Sequence, residues 1–148
     1  MVAAVTQNGE DEPVAVHRTY LAEPGRKADV EPAKAMLGPV KGGAVRLSDG
    51  PGPLVVAEGI ETALSLLDVL VRHQPRVWAA LSANGMRSVV LPAEPVDLVV
   101  APDPDPTGWD AAEALATRAR DEGRRVRILP SPEAGGDWND AAMRRIGA

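Results

Sequence analysis

The stretch LVVAEGIETALSLLDVLVRH, residues 54–73, contains the pattern that decides the fold. Its first four residues are all apolar, which is typical of a strand buried on both faces of a sheet. From Ile60 onward the apolar residues recur at the spacing of an amphipathic helix, which we expect to extend to His73. A buried strand followed directly by a helix predicts an α/β unit with a parallel sheet.

The same alternation continues to the end of the chain. Three further short apolar strands are predicted, at residues 77–81, 97–101 and 125–129. A helix is predicted over residues 108–122, with Thr107 as its N-cap and Gly123 just after its end. A short last helix, capped by Asp137 or Asn139, should reach Ile146. We therefore predict an α/β fold with a mostly parallel four-stranded sheet flanked by helices.

The chain before residue 54 has a different character. Glycine- and proline-rich turns separate short strand-like segments at residues 2–5, 14–21 and 44–47. We predict that residues 1–53 form a small β-rich lead-in and that residues 54–148 form the α/β domain.

The composition excludes several classes of site. The 148 residues include no cysteine and only two histidines, far apart, which rules out disulfides, iron–sulfur clusters and any zinc site in this chain. The apolar runs are shorter than the ~20 residues of a membrane span, and no basic region of a secretory signal is present. We therefore expect a cytoplasmic location and no membrane partner. The net charge of −5 argues against indiscriminate binding to nucleic acid.

Acidic residues follow two of the predicted strands, at the end of the sheet where open α/β folds place their sites. Glu58 follows strand 54–57, and Asp103 and Asp105 follow strand 97–101. Two carboxylates this close together are costly unless a cation or a proton neutralises them. Oxygen ligands alone favour Mg²⁺ or Mn²⁺. A shared site requires the two strands to be neighbours, although another strand lies between them in sequence.

Two other interpretations of DPDPTG, residues 103–108, fit less well. A calcium loop would need a glutamate where Ala114 stands, and a helix before the loop. The motif and the downstream GDWND also resemble haloacid-dehalogenase-type phosphatases. That resemblance implies a nucleophile on the first strand, with most of the domain and a lysine or arginine after it, whereas the last lysine here is Lys41.

Three motifs in order carry a stronger resemblance: VAEGIETAL at 56–64, DPDPTG at 103–108 and GDWND at 136–140. Together they resemble the Toprim domain of topoisomerases and primases, in particular that of phage and mobile-element primase/helicase proteins. The match covers about residues 54–143. The segments at 17–21 and 37–47 resemble the stretch that precedes Toprim in those proteins.

The resemblance implies a role for each acidic residue. Glu58 matches the Toprim glutamate, assigned to general acid/base work or metal binding, and Asp103 and Asp105 match the metal-binding aspartate pair. Asp137 matches a later acidic position of primases. Bacterial primases carry a further aspartate where this chain has Thr62. The residues expected to shape the site are Gly59, Gly108 and Asn139.

Nucleic acid can reach an acidic site only if cations line its rim. The candidates, all in the lead-in, are Lys27, Lys34, Lys41 and Arg46, and related primases use basic residues of that segment to hold template and nucleotide. Residues 38–43 lack the Gly-Lys-Ser/Thr of a Walker A loop. Ser82 and Asn84 are expected to line the rim of the cleft or simply to make a turn.

The resemblance implies nucleotidyl transfer dependent on Mg²⁺ or Mn²⁺, with NTPs used for primer synthesis on single-stranded DNA. Two alternatives stay open: a standalone Toprim nuclease, and a non-catalytic nucleic-acid-binding or adaptor module. Primases of this kind are expected to carry a zinc-binding module and often a helicase portion. With no cysteine here, zinc-dependent template recognition must come from another segment or a partner chain.

Overall fold

A computed structural model describes residues 1–7, 12–22, 26–94, 96–132, 136 and 138–146. The described part of the lead-in contains the strands β1 (Val2–Val5), β2 (Ala15–Thr19), β3 (Leu21–Ala22), β4 (Arg26–Lys27) and β5 (Lys34–Leu37). They form an antiparallel sheet with strand order β1-β2-β5 and a separate two-stranded ribbon, β3-β4. The lead-in is therefore β-rich, as predicted, although the expected strand at 14–21 is divided between β2 and β3.

The centre of the molecule is a five-stranded sheet of order β10-β9-β7-β8-β6. Its strands are β6 (Val45–Asp49), β7 (Leu54–Ala57), β8 (Arg76–Ala79), β9 (Leu98–Ala101) and β10 (Val126–Ile128). The four predicted strands are all present and parallel. The fifth, β6, pairs antiparallel with β8 at one edge. The sequence placed this strand in the lead-in, because nothing local reveals which distant strand it pairs with.

In the described part of the chain, four helices connect and cover these strands: α1 (Ile60–Val69), α2 (Ala83–Ser88), α3 (Pro106–Asp121) and α4 (Trp138–Ile146). Successive residues of β7 alternate between the two faces of the sheet, as in any strand. Leu54 and Val56 pack with residues of α2 and α3. Val55 and Ala57 pack with residues of α1 and with the lead-in residue Val5. The sheet is thus buried on both faces, which explains why its strands are uniformly apolar.

Helix ends differ from the prediction at two places. Helix α1 ends at Val69, and Val71–His73 form a short 3₁₀ turn that ends in the left-handed residue Gln74. Helix α3 begins at Pro106, and its N-cap is Asp105 rather than Thr107. Proline is favoured at the first position of a helix because its missing N–H would have no partner there. Gly123 follows the helix at a φ of +81°, as its predicted position requires.

No helix in the described ranges is both long enough and apolar enough to cross a membrane.

Candidate carboxylate site

The two strands that precede the acidic residues are neighbours in the sheet, as predicted. Strand β7 pairs in parallel with β9, and Ala57 lies opposite Ala101. Because the two strands end in register, Glu58 and the segment that contains Asp103 and Asp105 leave the sheet side by side. We call Glu58, Asp103 and Asp105 the acidic group, and the end of the sheet where they lie the carboxyl end.

Glu58 is partly buried and is held by the segment that follows β8. Its carbonyl oxygen accepts a hydrogen bond of 2.7 Å from the backbone N–H of Leu81. Helix α2 begins at Ala83, two residues after Leu81. The bond therefore ties the backbone of the glutamate to the turn that leads into α2.

The pKa of the Glu58 carboxyl is raised above its ordinary value. Burial is the largest cause, and the negative charges of Asp103 and Asp105 add to it. The Ala83 N–H and the positive charge of Arg87 act in the opposite direction. These charge effects weaken with distance, and they agree with the pairing of β7 and β9, which puts the three carboxylates at the same end of the sheet.

The turn of the aspartate pair is tightly built. Asp105 caps α3, since its Oδ1 accepts a hydrogen bond of 2.8 Å from the Gly108 N–H. A Cβ added to Gly108 would lie 2.7 Å from the Asp103 carbonyl oxygen, which makes glycine necessary for this close approach. The Oδ1 atom of Asp103 is buried. Because the cap uses only the Oδ1 atom of Asp105, the second carboxylate oxygen of this residue could bind a ligand.

The donor chemistry of the acidic group fits a hard divalent cation. All three side chains are carboxylates, and their mutual repulsion would be relieved by a positive charge between them. In the part of the chain that the structure describes, no three acidic or histidine side chains are yet grouped closely enough to coordinate one ion. The donor types are present, and side-chain movement would have to bring them together.

The other residues predicted for the site lie in varied places. Asp137 is outside the described residues. Asn139 lies inside the first turn of α4, so it is not the cap of that helix. At Gly59, the N-cap of α1, the backbone has an ordinary φ of −94°, and an added Cβ would meet its nearest atom at 3.4 Å. Neither the space nor the backbone at Gly59 requires glycine.

The lead-in cations whose side chains the structure describes, Lys34, Lys41 and Arg46, have different surroundings. Lys34 makes an ion pair of 3.2 Å with Glu61, which joins β5 to α1. The Arg46 guanidinium stacks 4.9 Å from the centroid of the Trp78 ring, and its Nη2 atom is buried. The backbone of Lys27 is in β4, and its side chain lies outside the described part. Lys41 lines a cleft between the lead-in and α2.

That cleft has a volume of about 430 Å³ and is next to the turn that holds Glu58. Besides Lys41 its walls include Met36, Leu81, Ser82 and Asn84. Ser82 caps α2, with its Oγ accepting a hydrogen bond of 2.9 Å from the Gly85 N–H. Asn84 and Ser82 thus both line the cleft, and Ser82 also makes the turn.

Helix α2 and its cation, Arg87, were not predicted from the sequence. A helix of six residues is too short to show a helical period. The available signal was Ser82, a favoured N-cap residue, at the start of the segment SANGMRS.

Comparison with known families supports what the motifs suggested. A family profile described as "Toprim domain" matches residues 53–147. A second profile, described as a domain of unknown function (DUF7146), matches residues 1–47. No curated protein sequence matches the chain significantly.

Two solved structures are similar in fold. The primase fragment of the bacteriophage T7 primase-helicase protein is 19% identical with a TM-score of 0.66, and the match covers 99% of this chain and 60% of that one. A DNA primase domain from Pseudomonas aeruginosa is 17% identical with a TM-score of 0.49, covering 98% of this chain and 56% of that one. The chain thus spans less than two thirds of either structure.

Proposed function

Because this chain belongs to the Toprim family, we propose that it is the catalytic domain of a primase-like protein, which joins nucleotides on a single-stranded DNA template. The observation that carries this proposal is that Glu58 and the segment with Asp103 and Asp105 follow two adjacent strands that end in register, where the aspartate charges raise the pKa of Glu58. The similarity in fold to the primase fragment of the T7 protein agrees with it. A zinc-binding or helicase segment, or a partner chain, would supply template recognition.

In this reaction, the 3′-hydroxyl of one nucleotide attacks the α-phosphorus of an NTP. A new P–O bond forms, the bond from the α-phosphorus to the bridging oxygen breaks, and pyrophosphate leaves. Glu58 accepts the proton of the attacking hydroxyl. Its raised pKa makes it a stronger base than an ordinary carboxylate.

A divalent cation fits the remaining members of the acidic group. Mg²⁺ or Mn²⁺, held by Asp103 and Asp105 together with Asp137, would neutralise charge on the phosphate oxygens. Asp105 holds the start of α3 through its Oδ1, so its second oxygen has a fixed direction. The cap therefore orients this ligand, in the way that surrounding hydrogen bonds orient metal ligands in general.

The test combines a metal titration with a primer-synthesis assay. Wild type and the double variant Asp103→Asn/Asp105→Asn are titrated with Mn²⁺ and then assayed with NTPs on single-stranded DNA. Asparagine caps a helix as well as aspartate does, so the variant loses charge without losing the cap. We expect it to lose both Mn²⁺ binding and synthesis. The control is Asp68→Asn, which removes an exposed charge on α1.

Unchanged Mn²⁺ binding by the double variant would contradict the assignment of the site. Metal-dependent cleavage of DNA or RNA by wild type without NTPs would instead identify the nuclease. Tight nucleic-acid binding with neither reaction would identify the non-catalytic module.

A further inference from the structure

A cation outside the lead-in lies beside the acidic group. The Leu81 N–H binds the Glu58 carbonyl oxygen at 2.7 Å, and α2 begins two residues later, at Ala83. Arg87 is four residues after Ala83, so the two lie on the same face of this helix. Among the residues that the structure describes, Arg87 is the cation whose charge lowers the pKa of Glu58. The geometry of the helix and the charge effect thus place Arg87 next to Glu58.

Among the residues that the structure describes, none competes for the guanidinium of Arg87. It makes no hydrogen bond or ion pair with any residue that the structure describes. It is also not in direct ionic contact with Glu58, since no pair between them falls within 4.0 Å. Its donors are therefore available to a ligand that approaches the acidic group.

Helix α2 is fixed at both ends, which makes it a rigid support for this cation. Ser82 caps its start. At its end, the Nη2 atom of Arg118 donates hydrogen bonds to the carbonyl oxygens of Val89, at 2.6 Å, and of Arg87 itself, at 3.4 Å. In the middle, an added Cβ on Gly85 would lie 1.9 Å from the Ala80 carbonyl oxygen, so α2 packs directly on the turn after β8.

Other cations are committed to contacts within the protein. Lys34 pairs with Glu61, Arg46 stacks on Trp78, and Arg118 binds backbone carbonyls. A phosphate that approaches three carboxylates is repelled unless a positive charge lies beside it. Arginine suits this role because its planar fork donates two parallel hydrogen bonds to phosphate oxygens.

We propose that Arg87 binds phosphate oxygens of the nucleotide substrate at the acidic group. This inference rests on the proposed function and deepens it, since it names the residue that holds the triphosphate. The same chemistry could serve a phosphate of the DNA backbone, and the experiment below separates the two sources.

The experiment measures binding of inorganic tripolyphosphate, ATP and a short single-stranded DNA by calorimetry, with Mg²⁺ in excess. The variants are Arg87→Gln, which removes the charge, and Arg87→Lys, which keeps the charge but not the fork. We expect Arg87→Gln to weaken binding of tripolyphosphate and ATP by about 10-fold or more, and Arg87→Lys to recover part of the loss. Binding of the DNA should change less.

The matched control is Arg72→Gln, an exposed arginine in the turn before β8, at the opposite end of the sheet. It removes the same charge and should bind all three probes as wild type does. Circular dichroism melting checks that each variant is folded. In a Mn²⁺ titration, Arg87→Gln should bind the ion at least as tightly as wild type, because the variant loses a positive charge near the acidic group and no metal ligand.

Three results would overturn the inference. One is that folded Arg87→Gln binds tripolyphosphate and ATP as tightly as wild type. Another is that it loses only DNA binding, which would assign Arg87 to the template. The third is that wild type binds neither tripolyphosphate nor ATP. In each case, Mn²⁺ binding and primer synthesis by wild type would leave the proposed function standing, whereas absence of both would contradict that function as well.

Discussion

The two ends of the central sheet treat their charges in opposite ways. At the amino end, Asp97 accepts two hydrogen bonds from the Arg125 guanidinium, at 2.9 and 2.8 Å, so each charge has its partner within the protein. At the carboxyl end, Glu58 lies with Asp103 and Asp105, and its pKa is raised by burial and by their charges. At the amino end the charges of Asp97 and Arg125 neutralise each other. At the carboxyl end the carboxylates repel one another, and a bound cation would relieve that repulsion.

The carboxyl end also contains a strained backbone position. Leu81, in the turn that holds Glu58, has a φ of +73°, a conformation that a side chain such as leucine rarely adopts. Strained backbone of this kind persists when the surrounding structure enforces it, and it is frequent at functional sites. Here the hydrogen bond from the Leu81 N–H to the Glu58 carbonyl oxygen is part of that enforcement.

The largest expected effect separates two glutamates at the carboxyl end that are three residues apart. Glu58→Gln should lower the rate of primer synthesis by about 10²- to 10⁴-fold, because the general base is lost. Glu61→Gln should stay within a few-fold of wild type, since Glu61 pairs with Lys34 on the surface of α1. Single-turnover assays at saturating NTP measure both. If the two variants lost the same amount of primer-synthesis rate, Glu58 would not be the general base.

The next effect tests how tightly the carboxyl end is packed. Gly85→Ala should lower the free energy of unfolding by about 3 kcal/mol, because its Cβ would lie 1.9 Å from the Ala80 carbonyl oxygen. Gly59→Ala is the matched change in the same region, and it should cost less than about 1 kcal/mol. Urea unfolding measures the difference. Similar costs at the two glycines would show that α2 can move away from β8.

A smaller effect tests the support of α2. Arg118→Gln should lower the free energy of unfolding by about 1.5 kcal/mol, since a charged donor to the Val89 carbonyl oxygen is lost. Arg120→Gln is the control. Arg120 is exposed in the same last turn of α3, so both changes lose the same favourable interaction with the helix dipole. If the two variants are equally stable, the Arg118 contact does not hold α2.

The fold was predictable where the signal was local and repeated. The short apolar segments and the helical spacing of apolar residues in α1 and α3 predicted the four parallel strands. The positions of Glu58 and Asp103 followed from where two of those strands end. The neighbouring of β7 and β9 was inferred from chemistry, because a shared site requires it. Sequence spacing alone does not show which strands pair.

The missed features depend on contacts between distant segments. Strand β6 joins the sheet through pairing with β8, and Arg46 stacks on Trp78 across that pairing. Lys34 and Arg46 were predicted to be available for nucleic acid, because the sequence does not show that each has a partner in another element. Arg87 was overlooked for the same reason, since its nearness to Glu58 depends on where a six-residue helix packs.

The smallest effect contrasts the two ends of the sheet in metal-free protein. The folded-state pKa of Glu58 is above the ordinary value of 4.5, so between 4.5 and that pKa the native state binds more protons than the unfolded state. Stability then falls as pH rises through this window. Glu58→Gln cannot ionise, so its stability relative to wild type should increase through the same window and stay higher at neutral pH. Below 4.5 the difference should vanish.

Asp97→Asn at the amino end should have the opposite sign. It removes an exposed pairing with Arg125, which contributes less than about 1 kcal/mol and weakens as salt is added. Urea unfolding in EDTA over a series of pH values measures both variants. If Glu58→Gln were less stable than wild type at neutral pH, the carboxylate would be stabilising in the absence of metal, and the contrast between the two ends would fail. If it is more stable, Glu58 lowers stability in the metal-free fold, as expected of a residue placed for chemistry.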